Sequence, residues 1–354
     1  MTKDRPEQLT VAVIGTGPNS SDTDAPSMAY HHANMYSGLD DCTLIACADL
    51  IRENVEAFAT NYGIDLDAAY TDHTKLLDEV NPDLVSVCVP PPAHADIVID
   101  CAEHGVGAIH CEKPMALTWG GAKEMANKCW DNNVFLTFNH QRRFGTCWSR
   151  ANELLQKGKI GQLQRIEMAA PNLFDWGTHA FDLCGKYANE ASPEWVLGQI
   201  DYQKENIIYG AHQENQAVTT WEYDNGVKGF ALTGEASNTS GVYHRLEGTD
   251  GEIEIRSNGD PILRYRNRET DDWQQITCER ASFTEMVRRS IKDVVRSFIA
   301  GERSELCAEN ALKSTELIFG TWESSRSRSA VELPLEVNDN PLEEMVKNGD
   351  LTPQ

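Results

Sequence analysis

Two stretches carry residue types and spacings suited to handling a proton. In the first, a mainly apolar run over residues 106–111 ends in Glu112-Lys113-Pro114. Pro114 fixes its own φ and biases Lys113 toward an extended conformation. A lysine held at the carboxyl end of a strand stands where open α/β sheets bind ligands, although taken alone it reads as a solvated charge. In the second stretch, Asp175-Trp176-Gly177-Thr178-His179 is followed by Asp182. If a helix starts there, Asp175 and His179 share one face and Asp182 lies a turn further on. An imidazole beside a carboxylate is a poised proton acceptor, because histidine titrates near neutral pH and its partner sets the tautomer. The plainer alternative is a helix-capping aspartate and a structural histidine. A metal site finds no further ligand at suitable spacing.

Apolar patterning says what would hold these groups. Residues 9–15 form an almost uninterrupted apolar run, as central parallel strands do, and lead into Gly15-Thr16-Gly17. Glycines there allow a tight turn and close approach to a pyrophosphate resting on the next helix's N-terminus. The usual third glycine is missing, and a polar insert over residues 18–26 follows. Its Asp22 and Asp24 would repel phosphate, so the insert is expected to loop away, leaving Ser27 to cap a helix.

Residues 42–48 read as a second buried strand ending at Asp49. That carboxylate can accept both hydroxyls of an adenosine ribose, which favours NAD over NADP. Alternatively Asp49 caps the helix beginning near Glu53, and Arg52 leaves room for a 2′-phosphate. Helices over 73–80, 94–103 and 119–131 alternate with strands over 83–89, 106–111 and 134–138. The repeat predicts a Rossmann-type, doubly wound parallel sheet. The loop from Pro90 lies at its carboxyl edge and should border the nicotinamide, with His94 either a helix-start residue or a cofactor contact. Beyond it, Arg142 and Arg143 can orient a carboxylate or polyhydroxyl substrate by forked hydrogen bonds, or serve as structural ion pairs.

An amphipathic helix over 146–156 and an alternating strand over 163–169 precede the Asp175 segment. From residue 195 the texture changes to strand-like runs over 195–202, 217–223, 227–233, 244–255 and 262–265. Turns such as Asp224-Asn225-Gly226 and Asp250-Gly251 join them. This predicts an α+β domain with a large, mainly antiparallel sheet. Helices over 283–300 and 308–324 are expected to pack on the sheets. The boundaries implied are a dinucleotide-binding domain over 1–138, a substrate-binding and oligomerisation domain over 139–337, and a loosely ordered acidic tail over 338–354.

With 354 residues there is length for two domains, and a 40% hydrophobic content supports real cores. The net charge of -24 sets 55 acidic against 31 basic residues. Such a surface repels nucleic acid and anionic lipid and resists salting-out, so it is read as an adaptation to a high-salt, halophilic cytoplasm. Ten cysteines include no Cys-x-x-Cys pair, and Cys47, Cys88 and Cys111 sit in apolar runs. Free thiols in a reducing compartment are expected. The polar start and the lack of a long apolar run point to a soluble, cytoplasmic protein without a membrane partner.

Taken together these pieces resemble the glucose–fructose oxidoreductase, inositol dehydrogenase and rhizopine-catabolism (Gfo/Idh/MocA) family over nearly the whole chain. The resemblance rests on Gly15 and Gly17, Pro90…His94, Glu112-Lys113-Pro114, Asn139…Arg143-Phe144, and Asp175-x-Gly177-x-His179-x-x-Asp182. It implies an NAD(P)-dependent dehydrogenase acting on sugars, cyclitols or related polyols. Gly15, Gly17, Asp49, Pro90, His94, Glu112 and Lys113 would line the cofactor. Lys113 would stand beside the nicotinamide and the substrate hydroxyl, with His179 as proton acceptor. Asp175 would be its partner or a substrate ligand, and Arg142 and Arg143 would complete the substrate site. A homodimer or homotetramer is expected. The alternatives are a sugar-sensing protein of the same fold without turnover, and an NADPH-linked keto-sugar or imine reductase.

Overall fold

The computed structural model describes residues 8–18, 27–257 and 262–354. It divides into two compact units: Met1–Leu117 with Gly121–Gln141 and Phe283–Ala308, and Thr118–Gly120 with Arg142–Ser282 and Glu309–Gln354. The polar insert lies almost wholly outside the described residues.

In the first unit, apolar runs too short for helices alternate with amphipathic segments, two of them capped by Ser27 and Asp72. They form β1 (Leu9–Ile14), α1 (Met28–Tyr36), β2 (Cys42–Ala48), α2 (Arg52–Tyr62), β3 (Ala69–Tyr70), α3 (His73–Val80), β4 (Leu84–Val87), α4 (His94–Glu103), β5 (Ala108–Cys111), α5 (Trp119–Asp131) and β6 (Phe135–Phe138). The strands pair in parallel in the order β3-β2-β1-β4-β5-β6. This is the doubly wound arrangement expected. The strands are buried because helices cover such sheets on both faces. Val13 and Cys47 pack under Ala29, Tyr30 and Ala33 of α1 and Val55, Phe58 and Ala59 of α2. Asp83 locks the entry of β4 to β1 by accepting from Thr10 N at 2.9 Å and Thr10 Oγ1 at 2.6 Å.

The chain returns to this unit late. The helix Phe283–Ala300, expected to pack on the sheets and placed by the 139–337 boundary with the second domain, belongs to the first unit. Phe298 packs against Phe135, the rings tilted and their centroids 5.7 Å apart. Leu306 O accepts from Phe138 N at 2.9 Å, and Cys307 bridges to Thr137. A helix's apolar stripe does not say which sheet it covers, so a boundary drawn by order along the chain could not separate it from the second domain.

The second unit holds α6 (Thr146–Gln156), β7 (Leu163–Ala170), α7 (Gly177–Tyr187), β8 (Pro193–Asp201), a small pair β9 (Ile207–Ile208) and β10 (Ala211–His212), β11 (Gln216–Tyr223) and β12 (Lys228–Thr233). They are followed by β13 (Val242–Gly248), β14 (Gly251–Arg256), β15 (Leu263–Asn267), β16 (Thr270–Ile276) and, late in the chain, β17 (Val331–Glu332). Nine strands form one sheet in the order β16-β15-β14-β13-β7-β12-β11-β8-β17. All its neighbours are antiparallel except β12 and β7. The run over 244–255 is a hairpin that turns at Asp250.

Two expectations fail here. Residues 338–354 are not a loose tail: Asn340 caps a helix, Pro341–Lys347, that buries Leu342 and Met345. Gln354 N also donates to Gln203 O at 2.8 Å. Nor are all ten cysteines free, because Cys147 and Cys278 form a disulfide, with Cα atoms 5.7 Å apart and a sequence separation of 131. No local spacing could flag a pair so separated. The other eight cysteines are free.

Candidate active site

In the first unit the strand order reverses between β1 and β4, and ligands of open α/β sheets bind outside the carboxyl ends at such a point. Gly15 and Gly17 turn the chain there with φ of 86° and 62°, in the left-handed region. A Cβ on Gly15 would fall 2.5 Å from Val89 Cγ1 and 2.7 Å from Val89 N. Only a residue without a side chain lets the turn lie against the β4 loop. Asp49, at the end of β2, binds this turn directly: one carboxylate oxygen accepts from Gly17 N at 2.7 Å and Thr16 Oγ1 at 3.2 Å. The other accepts from Ile51 N at 2.9 Å, at the entry of α2. Arg52 donates to Ala69 O at 2.9 Å.

Lys113 follows β5, is partly exposed, and is joined to Pro114 by a cis peptide bond. Beneath it lies a buried polar network. Glu112 accepts from His32 Nε2 at 2.9 Å and from Asn139 Nδ2 at 2.7 Å, and Ser290 Oγ donates to Asn139 Oδ1 at 3.0 Å. Burial alone would raise the Glu112 pKa, but the hydrogen bond and charge of His32, with Asn139 and Lys113, bring it down to about 2. Burial likewise opposes the charge on His32, and Cys88 and Glu112 overcome it, raising His32 to about 10. The pair is therefore imidazolium and carboxylate at neutral pH. Glu112 was expected along the cofactor; its carboxylate is instead spent on His32 and Asn139, and it fixes the backbone from which Lys113 projects.

His94 is corrected in the same way. Its Nδ1 lies 2.8 Å from Pro114 O and its Nε2 2.8 Å from Val89 O, and the ring is fully buried. Burial lowers its pKa against the pull of those carbonyls. It clamps the β4 loop to the Lys113-Pro114 loop and has no face for a cofactor. Pro90, at the head of that loop, is exposed.

In the second unit, α7 begins at Gly177, so Asp175 precedes the helix instead of sharing a face with His179. The loop before α7 is held by three side-chain acceptors. Glu214 takes Leu173 N at 2.6 Å, Gln213 Oε1 takes Asp175 N at 3.2 Å, and Asn172 Oδ1 takes Trp176 N at 2.9 Å. Phe174 anchors the loop between Phe319 and Trp322, with centroids 6.1 and 5.6 Å away. His179 sits in the first turn of α7, 3% exposed, and its N donates to Trp176 O at 3.2 Å. Glu214 is fully buried, and burial raises its pKa to about 7 against the bonds it accepts. Neither Gln213 nor Glu214 was singled out from sequence, where they sit in an unremarkable polar stretch; nor were Ser86 or the partnership of His32 with Glu112.

The two arginines separate. Arg142 stacks its guanidinium 4.3 Å from the centroid of the Trp176 ring, which is 43% exposed. Burial lowers the Arg142 pKa to about 10, countered by Tyr243 and Asp175, so it stays cationic. Arg143 is not a substrate ligand. It is 2% exposed, and its fork is taken by Asp182 at 2.6 and 2.9 Å and by Glu190 at 2.6 Å. The same pairing removes Asp182 from the His179 group. Arg142, Asp175, Trp176 and His179 remain as the candidate substrate face of this unit.

Known proteins fit this division. Residues 9–140 match the model of an oxidoreductase family with an NAD-binding Rossmann fold (GFO_IDH_MocA), and residues 165–333 match its C-terminal alpha/beta domain. The chain is 23% identical over 329 residues to myo-inositol 2-dehydrogenase of Thermotoga maritima, spanning 85% of this chain and 94% of that one. It is 28% identical over 336 residues to D-apiose dehydrogenase of Paraburkholderia graminis, spanning 86% of each. An inositol dehydrogenase homolog from Azotobacter vinelandii, solved with NADH and myo-inositol, superposes with a TM-score of 0.73 at 16% identity, covering 92% of this chain and 98% of that one.

Proposed function

The chain belongs to the Gfo/Idh/MocA family of oxidoreductases, and on that premise we propose that it moves a hydride reversibly between the nicotinamide of NAD and a secondary alcohol or ketone of a sugar, cyclitol or related polyol. The observation that carries this reading is the loop of residues 172–176, whose three anchored N–H groups pre-set Asp175 and the start of α7. Preorganised polar groups of this kind cost nothing to orient at the moment of reaction.

The glycine turn fits a pyrophosphate, since the space a Cβ would fill at Gly15 and Gly17 is where backbone must pass closely. When bound, the nicotinamide supplies hydride transfer. The protein's own part is to place the alcohol and move one proton. His179 takes the hydroxyl proton as oxidation proceeds, and the ammonium of Lys113 stabilises the oxygen charge that develops. Asp175 orients the imidazole or binds a neighbouring hydroxyl, and Arg142 offers donors to the remaining hydroxyls.

Asp49 supports NAD over NADP, and Arg52, already committed to Ala69 O, gives little to a 2′-phosphate. Association of subunits through the nine-stranded sheet is supported by Leu197 on β8 and Val218 on β11, both more than two-fifths exposed on that sheet. The test is a screen of polyols, myo-inositol and D-apiose first, with NAD and with NADP at high salt, following absorbance of the reduced nicotinamide. Turnover of a polyol with NAD is expected. Binding of dinucleotide without turnover of any polyol would leave a sensor, and tighter binding of NADPH would defeat the Asp49 argument.

A further inference from the structure

We propose that the polyol taken by this chain is an acid, and that Arg142 grips its carboxylate. The inference rests on the dehydrogenase reading above and narrows it, turning the partner of Arg142 from any hydroxyl into a carboxylate.

Arginines in this chain do not lack for acidic partners, since 55 acidic residues face 31 basic ones. Arg143 holds Asp182 and Glu190, Arg245 holds Glu167, Glu252 and Glu254, and Arg326 holds Glu323 and Asp339. Arg142, next in the chain to Arg143 and partly buried, is treated differently. Among the described residues its guanidinium makes neither a hydrogen bond nor an ion pair, and it only stacks on Trp176. Burial without a close counter-charge is what depresses its pKa, and it stays cationic. Donors withdrawn from water and left unspent are a standing cost, of the kind met where a ligand brings the acceptors.

The group is held for that purpose. Arg142 O accepts from Gly145 N at 2.9 Å, and Arg143 O accepts from Ser149 Oγ at 3.0 Å. Trp176 is itself fixed by Asn172 and is 43% exposed, so the stacked pair reaches solvent. Stacking occupies a face of the guanidinium and leaves the N–H fork, which lies in its plane, to a ligand.

Donors without acceptors select a ligand that only accepts. A hydroxyl both gives and takes, whereas a carboxylate only takes, and its two oxygens match the fork. A second unspent donor borders the same segment. Gln213, 1% exposed, accepts from Asp175 N through its oxygen, and its amide nitrogen has no partner among the described residues. Asp175, whose charge reaches Arg142, supplies acceptors for hydroxyls, so the two kinds of group on a hydroxy acid meet opposite chemistry. The same charge disfavours a phosphate dianion, which would bring two charges to one cation beside a carboxylate.

The test compares D-glucuronate, D-galacturonate and D-gluconate with glucose, galactose and glucitol, adding myo-inositol, D-apiose and glucose-6-phosphate. Each is assayed with NAD and with NADP at one ionic strength. The kcat/KM of an acid should exceed that of its neutral counterpart by about 10–100-fold, the worth of a hydrogen-bonded contact to a charged group. Arg142→Gln should bring acid and neutral substrate level with each other, and Arg142→Lys, which keeps the charge and loses the fork, should restore part of the difference. Should Arg142→Gln fail to fold, the wild-type comparison still decides. Neutral sugars or cyclitols turned over as well as every acid would overturn the inference and leave the dehydrogenase reading standing. Glucose-6-phosphate preferred over the acids would overturn the carboxylate assignment. No turnover of any compound would strike at the dehydrogenase reading instead. In that case a Tm raised by glucuronate but not by glucose, in wild type and not in Arg142→Gln, is expected, and no such rise overturns the carboxylate site.

Discussion

Removing the His179 imidazole deletes a proton acceptor while leaving the glycine turn and Asp49 untouched. His179→Ala should therefore lower kcat by ~10²–10⁴-fold, the usual contribution of one acid–base group, with NADH affinity unchanged by fluorescence titration. Lys113→Met should be at least as damaging. Full turnover in His179→Ala would remove it from the mechanism. At this scale sequence showed the right chemical types and could not show which were already spoken for. Lys113, Asp175 and His179 stood out by kind and spacing, but so did Arg143 and His94, whose polar atoms are consumed internally by Asp182, Glu190 and backbone carbonyls. The partner of Glu112 lies 80 residues away, at His32, beyond any local pattern.

Secondary structure decides how tightly these groups are held. Arg143 ties α7 to Glu190 through charges that are almost wholly buried on the arginine and Asp182. Arg143→Leu leaves the Asp182 carboxylate buried without its counter-charge, at a cost of ~3–5 kcal/mol. Urea unfolding should report that loss, and a loss under about 1 kcal/mol would mark the pair as superficial. Glu214 gives the loop before α7 a pH response. Its folded pKa of about 7 exceeds the ordinary 4.5, so the native state keeps a proton that the unfolded chain releases. The resulting stability is complete below about pH 4.5 and lost as pH rises through 7, by an amount on the order of 3 kcal/mol. Glu214→Gln removes this dependence, and the difference between wild-type and variant unfolding free energies at pH 5 and pH 8 measures it.

Helices over 73–80, 94–103, 119–131 and 146–156 were readable to the residue because their apolar periodicity is strong. Strand Thr270–Ile276 was missed: it is an edge strand of Thr, Asp and Gln whose pattern is a loop's. The helix Pro341–Lys347 was hidden because acidic residues surround its two apolar anchors.

Over the whole molecule, charge governs how stability responds to salt. Rows of opposite charge cross the sheet, with Arg245 between Glu167 and Glu254, and Arg264 between Glu254 and the Trp273 ring. Such part-exposed pairs contribute ~0–1 kcal/mol each and weaken in salt. A net charge of -24 repels itself throughout and is relieved by the same salt. Repulsion should win: raising KCl from about 0.1 M to about 2 M should raise the Tm, because the screening length shrinks from ~10 Å to below 3 Å. A Tm that falls or stays flat would mean that the ion pairs dominate and that the acidic surface serves another purpose.

The late return of the chain to the first unit bears on how the protein is made. β6 stands at the margin of its sheet, and the polypeptide that covers that margin, Leu306 and Cys307, leaves the ribosome only after most of the second unit has been synthesised. Until then the nascent nucleotide-binding half carries a bare strand and lacks Phe298 over Phe135 and Ser290 on Asn139. Chains truncated near residue 141 should consequently be sticky and degraded in the cell. Supplying residues 283–308 as a separate peptide should rescue their solubility.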